Sequence, residues 1–357
     1  MPNNLQLYHK MKRQLCQWLP AERSTRIQNM ALLITGLYLS GNSHLSKIVR
    51  KWPLRGKLPS LTNRLWRFLN NPRLEVASWY APVVEEIIRH LSGDRIILVV
   101  DTTKVGFYHR VMTIGVAFKK RTLPLVWTVR RGRKGHTQVD EQLGLFRKAA
   151  NILPENIEIW VVGDTEFQSV RLLRWFRRRH WHFVIRQQGK NKVCWHQQPW
   201  IKINALNLEQ GQTRVIGWVR LTRKHNHGWY WLLLHWEIGE DEPWYLVSDQ
   251  SGKTELLKCY RKRMWVEEMY GDMKGHGFDL EATHLKHADR ISRLFLGVCI
   301  VFVWLITLGS WVVKNGYRHL VDHKSRRDKS CFRIGWDWIE LCFRLNRPFS
   351  LHFKPYF

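Results

Sequence analysis

The stretch Arg95-Ile-Ile-Leu-Val-Val-Asp101-Thr-Thr103 decides the fold of this chain. Its run of aliphatic, mostly β-branched side chains is short and bounded, which reads as a buried strand. Asp101 stands at the carboxyl end of that strand, where α/β sheets tend to gather their ligand sites. Working outward, residues 105–118 and 122–130 read as two more strands, the second after the turn Lys119-Lys120-Arg121. A helix is expected over 139–150 and a fourth strand over 157–163, with Asp164 at its end. An amphipathic helix over 169–179 carries Arg171, Arg174 and Arg178 on one side, and a fifth strand covers 181–186. Three strands, a helix, a strand, a helix and a strand make an α/β core whose first and fourth strands both end on a short carboxylate.

A third carboxylate comes from the segment Tyr260-Arg-Lys-Arg-Met-Trp-Val-Glu-Glu-Met-Tyr-Gly-Asp-Met-Lys274. Wound as one helix at about 100° per residue from Tyr260, Arg263 falls at about 300°, Glu267 at about 340° and Lys274 at about 320°. A phenol, two cations and a carboxylate thus share one stripe, while Glu268 points elsewhere. Val266, Met269 and Met273 form a flank suited to packing inward, and Gly275 is placed to end the helix in a left-handed cap. A charged stripe alone is the ordinary mark of a solvated face. The two upstream aspartates change that reading.

The 357 residues carry 58 basic and 29 acidic side chains, a formal net charge of +29 spread along the whole chain. Nucleic acid is the first partner this suggests, and an anionic membrane surface the second. The chain is 45% hydrophobic, enough for a substantial core. Its six cysteines form no CxxC pair and no zinc-like spacing, so reduced thiols in a cytoplasmic, nucleoid-associated protein are expected. Residues 294–313 are apolar and long enough to span a bilayer. Their place directly after the charged helix favours a helix buried in the core.

Residues 1–92 read as a helical DNA-binding region. An apolar helix over 30–39 is broken at Ser40-Gly-Asn-Ser43, and short basic helices follow over 44–51 and 61–70, the latter capped by Ser60. Asn63, Arg64 and Arg67 on the last of these suit a helix-turn-helix-like reader, although a plain helical bundle has the same pattern. Core segments are expected over 93–187 and 253–315, separated by a Trp-rich, β-rich insertion over 188–252. A basic tail, 316–357, closes with a helix over 331–345.

Asp101, Asp164 and Glu267, brought together from separate elements, would make a hard-oxygen site suited to Mg²⁺ or Mn²⁺. Two such ions suit phosphodiester chemistry, and in so basic a chain the phosphodiester is nucleic acid. Tyr260, Arg263 and Lys274 would then hold neighbouring phosphates. Glu166 is the nearest rival among the other acids, ahead of Asp94, Asp140, Glu268, Asp272, Asp279 and Glu281.

The spacing Tyr260-x2-Arg263-x3-Glu267-x6-Lys274 resembles the YREK signature of bacterial DDE transposases of insertion-sequence family four. Val161-Val-Gly-Asp164-Thr-Glu-Phe167 and Gly277-Phe-Asp-Leu-Glu-Ala-Thr283 resemble segments of the same enzymes. The chain departs from them at Met264, where Trp is usual, and at Thr165, where Arg is usual. The resemblance implies a ribonuclease-H-like catalytic core with a β-rich insertion and a buried apolar helix beyond the glutamate. It implies cut-and-paste transposition through a DNA hairpin, two divalent metals on Asp101, Asp164 and Glu267, and homodimers holding two double-stranded DNA ends. It also implies a flipped base stacked on an insertion tryptophan, among Trp229, Trp231, Trp236 and Trp244. A nuclease without strand transfer and an inactive transposase-derived DNA-binding protein are the competing readings.

Overall fold

The computed structural model describes residues 2–356 apart from 92, 134, 136, 197 and 225–227. Five helices come first: α1 (Asn3–Trp18), α2 (Ser24–Ser40), α3 (Leu45–Val49), α4 (Leu58–Leu69) and α5 (Val76–Arg89). The first half of the core follows as β1 (Arg95–Val105), β2 (His109–Phe118), β3 (Arg121–Arg131), α6 (Val139–Ala150), β4 (Glu158–Gly163), α7 (Val170–Arg178) and β5 (His182–Arg186). Next come β6 (Lys192–Cys194), β7 (Ile201–Lys202), β8 (Thr213–Leu221), β9 (Trp229–His235) and β10 (Trp244–Ser248). Then α8 (Thr254–Arg261), α9 (Met264–Met273), α10 (Ala288–Lys314) and α11 (Cys331–Arg344) complete the chain.

Among the described residues the strands form one mixed sheet of ten, in the order β3-β2-β1-β4-β5-β10-β9-β8-β6-β7. β1, β4 and β5 run parallel, and β2 is antiparallel to both β1 and β3. β10 pairs antiparallel with β5, Leu246 opposite Arg186, so the Trp-rich strands extend the central sheet.

β1 is longer than the sequence suggests. It runs through Asp101 to Val105, because Thr102, Thr103 and Val105 keep pairing with β2, opposite Met112, Val111 and His109. Asp101 therefore lies inside β1, at the level where β4 stops. The expected single strand over 105–118 is split by a turn at Gly106, which sits at φ 54° in the left-handed region. Beyond Asp101, β1 and β2, with β3 alongside, project past the end of β4 as a flange.

The helix α10 is the centre of the core. It is long and apolar enough to cross a membrane, yet 89% of its apolar window is buried inside the fold. It packs against α2, α5, β3 and α11. Contact with α11 is backbone to backbone, since a Cβ on Gly309 would collide with the Cys331 carbonyl and one on Gly335 with that of Leu305. The N-terminal helices share this core, with Leu33, Leu37, Tyr38, Val83 and Ile87 fully buried in one continuous apolar cluster.

α4 begins at Leu58 and so contains Ser60, which is not its cap. Pro59 sits in the first turn, where its fixed φ suits a helix start. Asn63 and Arg67 are exposed on this helix, whereas Arg64 donates to Asn29 at 2.8 Å. All six cysteines are free thiols.

Candidate active site at the level where β4 ends

Val100 of β1 stands opposite Gly163 of β4 in the parallel register. The next residue in β1 is Asp101, and the residue directly after β4 is Asp164. Neighbouring strands lie about 4.8 Å apart, and residues at matching levels project to the same face. The register thus brings the two aspartates to neighbouring positions, each one residue past the last matched pair of β1 and β4. Asp101 is buried, and its Oδ1 accepts from the Thr102 backbone N–H at 2.8 Å. Asp164 is partly buried and caps the short 3₁₀ turn Thr165–Phe167, its Oδ1 accepting from Glu166 N–H at 2.8 Å. Each carboxylate is oriented by a local backbone donor, as aspartates in turns commonly are.

Glu267 arrives from the other side of the sequence. The segment 260–274 is not the single helix expected. Arg263 N–H bonds to Tyr260 O and Val266 N–H to Arg263 O, so the chain tightens for one turn between α8 and α9. Such i→i−3 winding turns more per residue than an α-helix, which shifts the angles of the stripe. α9 then packs on β1, β2 and β3. Tyr270, one turn after Glu267, is buried and donates its hydroxyl to the Asp101 carbonyl at 3.1 Å. That bond ties the helix of the third acid to the strand of the first. Gly275 has no left-handed φ, and the chain leaves α9 through Lys274, whose carbonyl accepts from Asp279 N–H at 2.7 Å.

The Glu267 carboxylate accepts from the Arg263 guanidinium at 2.6 Å. Arg263 is largely buried. Burial works against its charge, but the neighbouring Tyr260, Glu267 and Asp101 outweigh that and hold its pKa above the usual value. Tyr260 is buried, with the Trp244 ring edge-on at 5.1 Å. Burial pushes its phenol up to about 12; Arg263 and Arg186 oppose this, and Asp164 and Glu267 add to it. Arg263 thus feels Asp101 and Glu267, and Tyr260 feels Asp164 and Glu267. The three acids, the arginine and the phenol occupy one electrostatic neighbourhood. Arg186 joins this cluster from the fifth strand, paired with Glu242 at 3.0 Å.

Lys274 is engaged elsewhere, by Glu281 at 2.8 Å. The rival acids serve structural pairs: Asp140 with Arg171, Glu268 and Asp272 with Arg121, and Asp279 with Asn42. Glu166 accepts from the Thr137 backbone N–H at 2.9 Å, holding the loop before α6 beside the second aspartate. Tyr270 and Arg186 lie outside the set of residues to which the sequence points. Tyr270 had a signal, being an aromatic at i+3 from Glu267 on the inward flank; Arg186 had none beyond its place at a strand end.

Among the described residues no group of three or more His, Cys, Asp and Glu side chains is close enough to share a metal ion. The donor set itself suits a hard cation, since Asp101, Asp164 and Glu267 offer carboxylate oxygens. In this structure the Glu267 carboxylate is paired with Arg263.

Of the insertion tryptophans, Trp229 is 45% exposed and lies under the Arg220 guanidinium at 5.1 Å. Trp236 donates its ring N–H to the Glu240 carbonyl, and Trp231 meets Trp218 edge-on.

Residues 93–304 match the family described as "Transposase DDE domain". The chain belongs to that family. Its matched span contains Asp101, Asp164 and Glu267 together with the sheet and helices that carry them. No curated protein matches the chain in sequence. Among solved structures it is similar to one described as the cryo-EM structure of a piggyBac transposase synaptic complex with hairpin DNA. The identity is 10%, the TM-score 0.42, and the match covers 96% of this chain and 80% of that one. A likeness that distant says nothing of the reaction.

Proposed function

We propose that this protein is a DNA transposase of the insertion-sequence family four type, with a ribonuclease-H-like core. It would cut double-stranded DNA at element ends, through a hairpin, and join the freed 3′ hydroxyl to target DNA. The observation that carries the reading is the register of β1 and β4, whose last matched pair, Val100 and Gly163, directly precedes Asp101 and Asp164 in a chain of net charge +29. The order β3-β2-β1-β4-β5, with β1, β4 and β5 parallel, supports the ribonuclease-H-like assignment. The YREK spacing supports the finer family.

Asp101, Asp164 and Glu267 would hold two divalent ions, Mg²⁺ or Mn²⁺. When bound, such ions supply an activated oxygen nucleophile and charge stabilisation at the scissile phosphate. The protein's own part begins with the ion pair. Arg263 exchanges the Glu267 carboxylate for a DNA phosphate, which its planar fork can hold through two bonds. That exchange frees Glu267 to turn toward the aspartates. Tyr260 stays protonated through the neutral range, as a phenol pushed up to about 12 must, and can donate to a phosphate oxygen. Tyr270 keeps α9 at a fixed height on β1 while Glu267 moves. Lys274 adds a point charge further along the backbone. Trp244, already against Tyr260, is the tryptophan we assign to a flipped base.

The region 1–92 would contribute DNA contacts, 188–252 an insertion and 316–357 a basic tail, with two copies holding two ends in the cytoplasm. The test is excision in cells of a marker flanked by the DNA that borders this gene. Wild type should excise, and Asp164→Ala and Glu267→Ala should not. Equal excision by either variant would show that these are the wrong carboxylates. A wild type that binds those flanks without excising would favour a DNA-binding protein with no catalysis.

A further inference from the structure

We infer that the turn between β1 and β2 is an aromatic wedge, with Phe107 and Tyr108 stacking on bases at an unstacked step of duplex DNA. The inference rests on the reading above only in taking DNA as the partner. Phe107 is 62% exposed and Tyr108 64%, and among the described large hydrophobic residues only Ile238 is more exposed. A single exposed ring is ordinary, but adjacent exposed rings form an apolar patch of the kind that marks a contact surface. The two rings stand together at the tip, centroids 6.2 Å apart and tilted by 46°.

The tip is braced. The Gly132 backbone N–H donates to the Tyr108 carbonyl at 3.0 Å, joining it to the end of β3. A Cβ on Gly106 would stand 3.2 Å from the Thr283 carbonyl, and Phe107 lies 5.7 Å from the His284 ring. A wedge must resist being pushed back, and this turn is supported from two sides.

Its surroundings specify the occupant. Lys104, Arg131, Arg133, His284 and Lys286 are exposed around it, and the Arg131 guanidinium lies 5.7 Å from the centre of the Tyr108 ring. Apolar rings ringed by cations fit a partner with flat faces and a polyanionic backbone. A two-stranded β-ribbon can enter a DNA groove. Apolar side chains inserted between base steps unstack them and kink the duplex. The position fits as well, because Phe107 is six residues beyond Asp101, just past the end of β1, at most about 20 Å away.

The test uses the full chain, without divalent metal, and fluorescence anisotropy. Two probes are compared: a random-sequence duplex, and the same duplex with a mismatched step that is easily unstacked. Wild type should prefer the mismatched probe by about tenfold, the scale of one aromatic–base stack. Phe107→Ala with Tyr108→Ala should lose that preference while binding the perfect duplex as before. Phe107→Tyr with Tyr108→Phe, which keeps two rings, should retain it. Arg131→Ala should weaken both probes alike and lower the salt dependence.

A preference that survives the double alanine variant, or is absent from wild type while both probes bind, overturns the wedge and leaves the DNA reading standing. Wild type that binds neither probe overturns both. If wild type shows no preference, and the double alanine variant changes the oligomeric state without DNA, the tip is a contact between copies of the protein.

Discussion

At the level of single residues, the candidate site is a set of charges, and the proposed mechanism has their partners change when DNA binds. Glu267 sits on Arg263, and Tyr260 lies within the field of both. The phenol makes this environment measurable. Its pKa in the folded chain, about 12, lies above the ordinary value for tyrosine, about 10. A group that binds its proton more tightly when folded contributes stability that is complete below the unfolded pKa and is lost as pH rises through the folded one. Wild type should therefore lose stability relative to Tyr260→Phe between about pH 10 and 12, by roughly 2–3 kcal/mol over the window. Urea unfolding of both proteins across that range checks it. Parallel curves would mean that the phenol is solvated and that Asp164 and Glu267 do not reach it.

At the level of elements, packing against α10 decides what the chain tolerates. Two glycines let α10 and α11 meet backbone to backbone, and no side chain can give way at either contact. Gly335→Ala should cost about 3 kcal/mol, the upper end of ordinary overpacking. Gly144→Ala is the matched control. It lies in α6 with nothing within 4 Å of the added Cβ, and should stabilise by about 0.5–1 kcal/mol. Chemical unfolding midpoints would separate the two, and a mild effect at Gly335 would show that α11 can slide on α10. The elements also show what was legible beforehand. The aliphatic run ending on Asp101, the run ending on Asp164 and the apolar helix were readable because local pattern alone determines them. The turn at Gly106-Phe107-Tyr108 was not, since aromatic residues continue a strand pattern and no Asn, Asp or Pro marks the bend. The tightened turn at Lys262 and Arg263 was also hidden, because both residues keep right-handed helical dihedrals while the hydrogen bonding changes.

At the level of the whole molecule, the sequence suggested an insertion between two halves of a core, but the pairing partner of β10 lies far away in the chain and no local pattern names it. The structure pairs β10 with β5, and the sheet runs on without a break into β9 and β8. This has a consequence for any attempt to shorten the protein. Removing residues 188–252 would delete β6 to β10 and leave β5 as the edge of a five-stranded sheet. Phe183, Val184 and Ile185 on that strand are fully buried in the intact fold. An exposed, flat, apolar edge is a template for pairing with other chains. The shortened protein should therefore aggregate, where a modular insertion would leave a soluble core with the candidate site intact. Arg186 would lose Glu242 and Tyr260 would lose Trp244, so the cluster around Glu267 would open as well. Size-exclusion chromatography of the deletion variant, with its circular dichroism, distinguishes the cases. A monomeric, folded product would mean that the ten strands are two independent sheets in energetic terms, joined only by their hydrogen bonds.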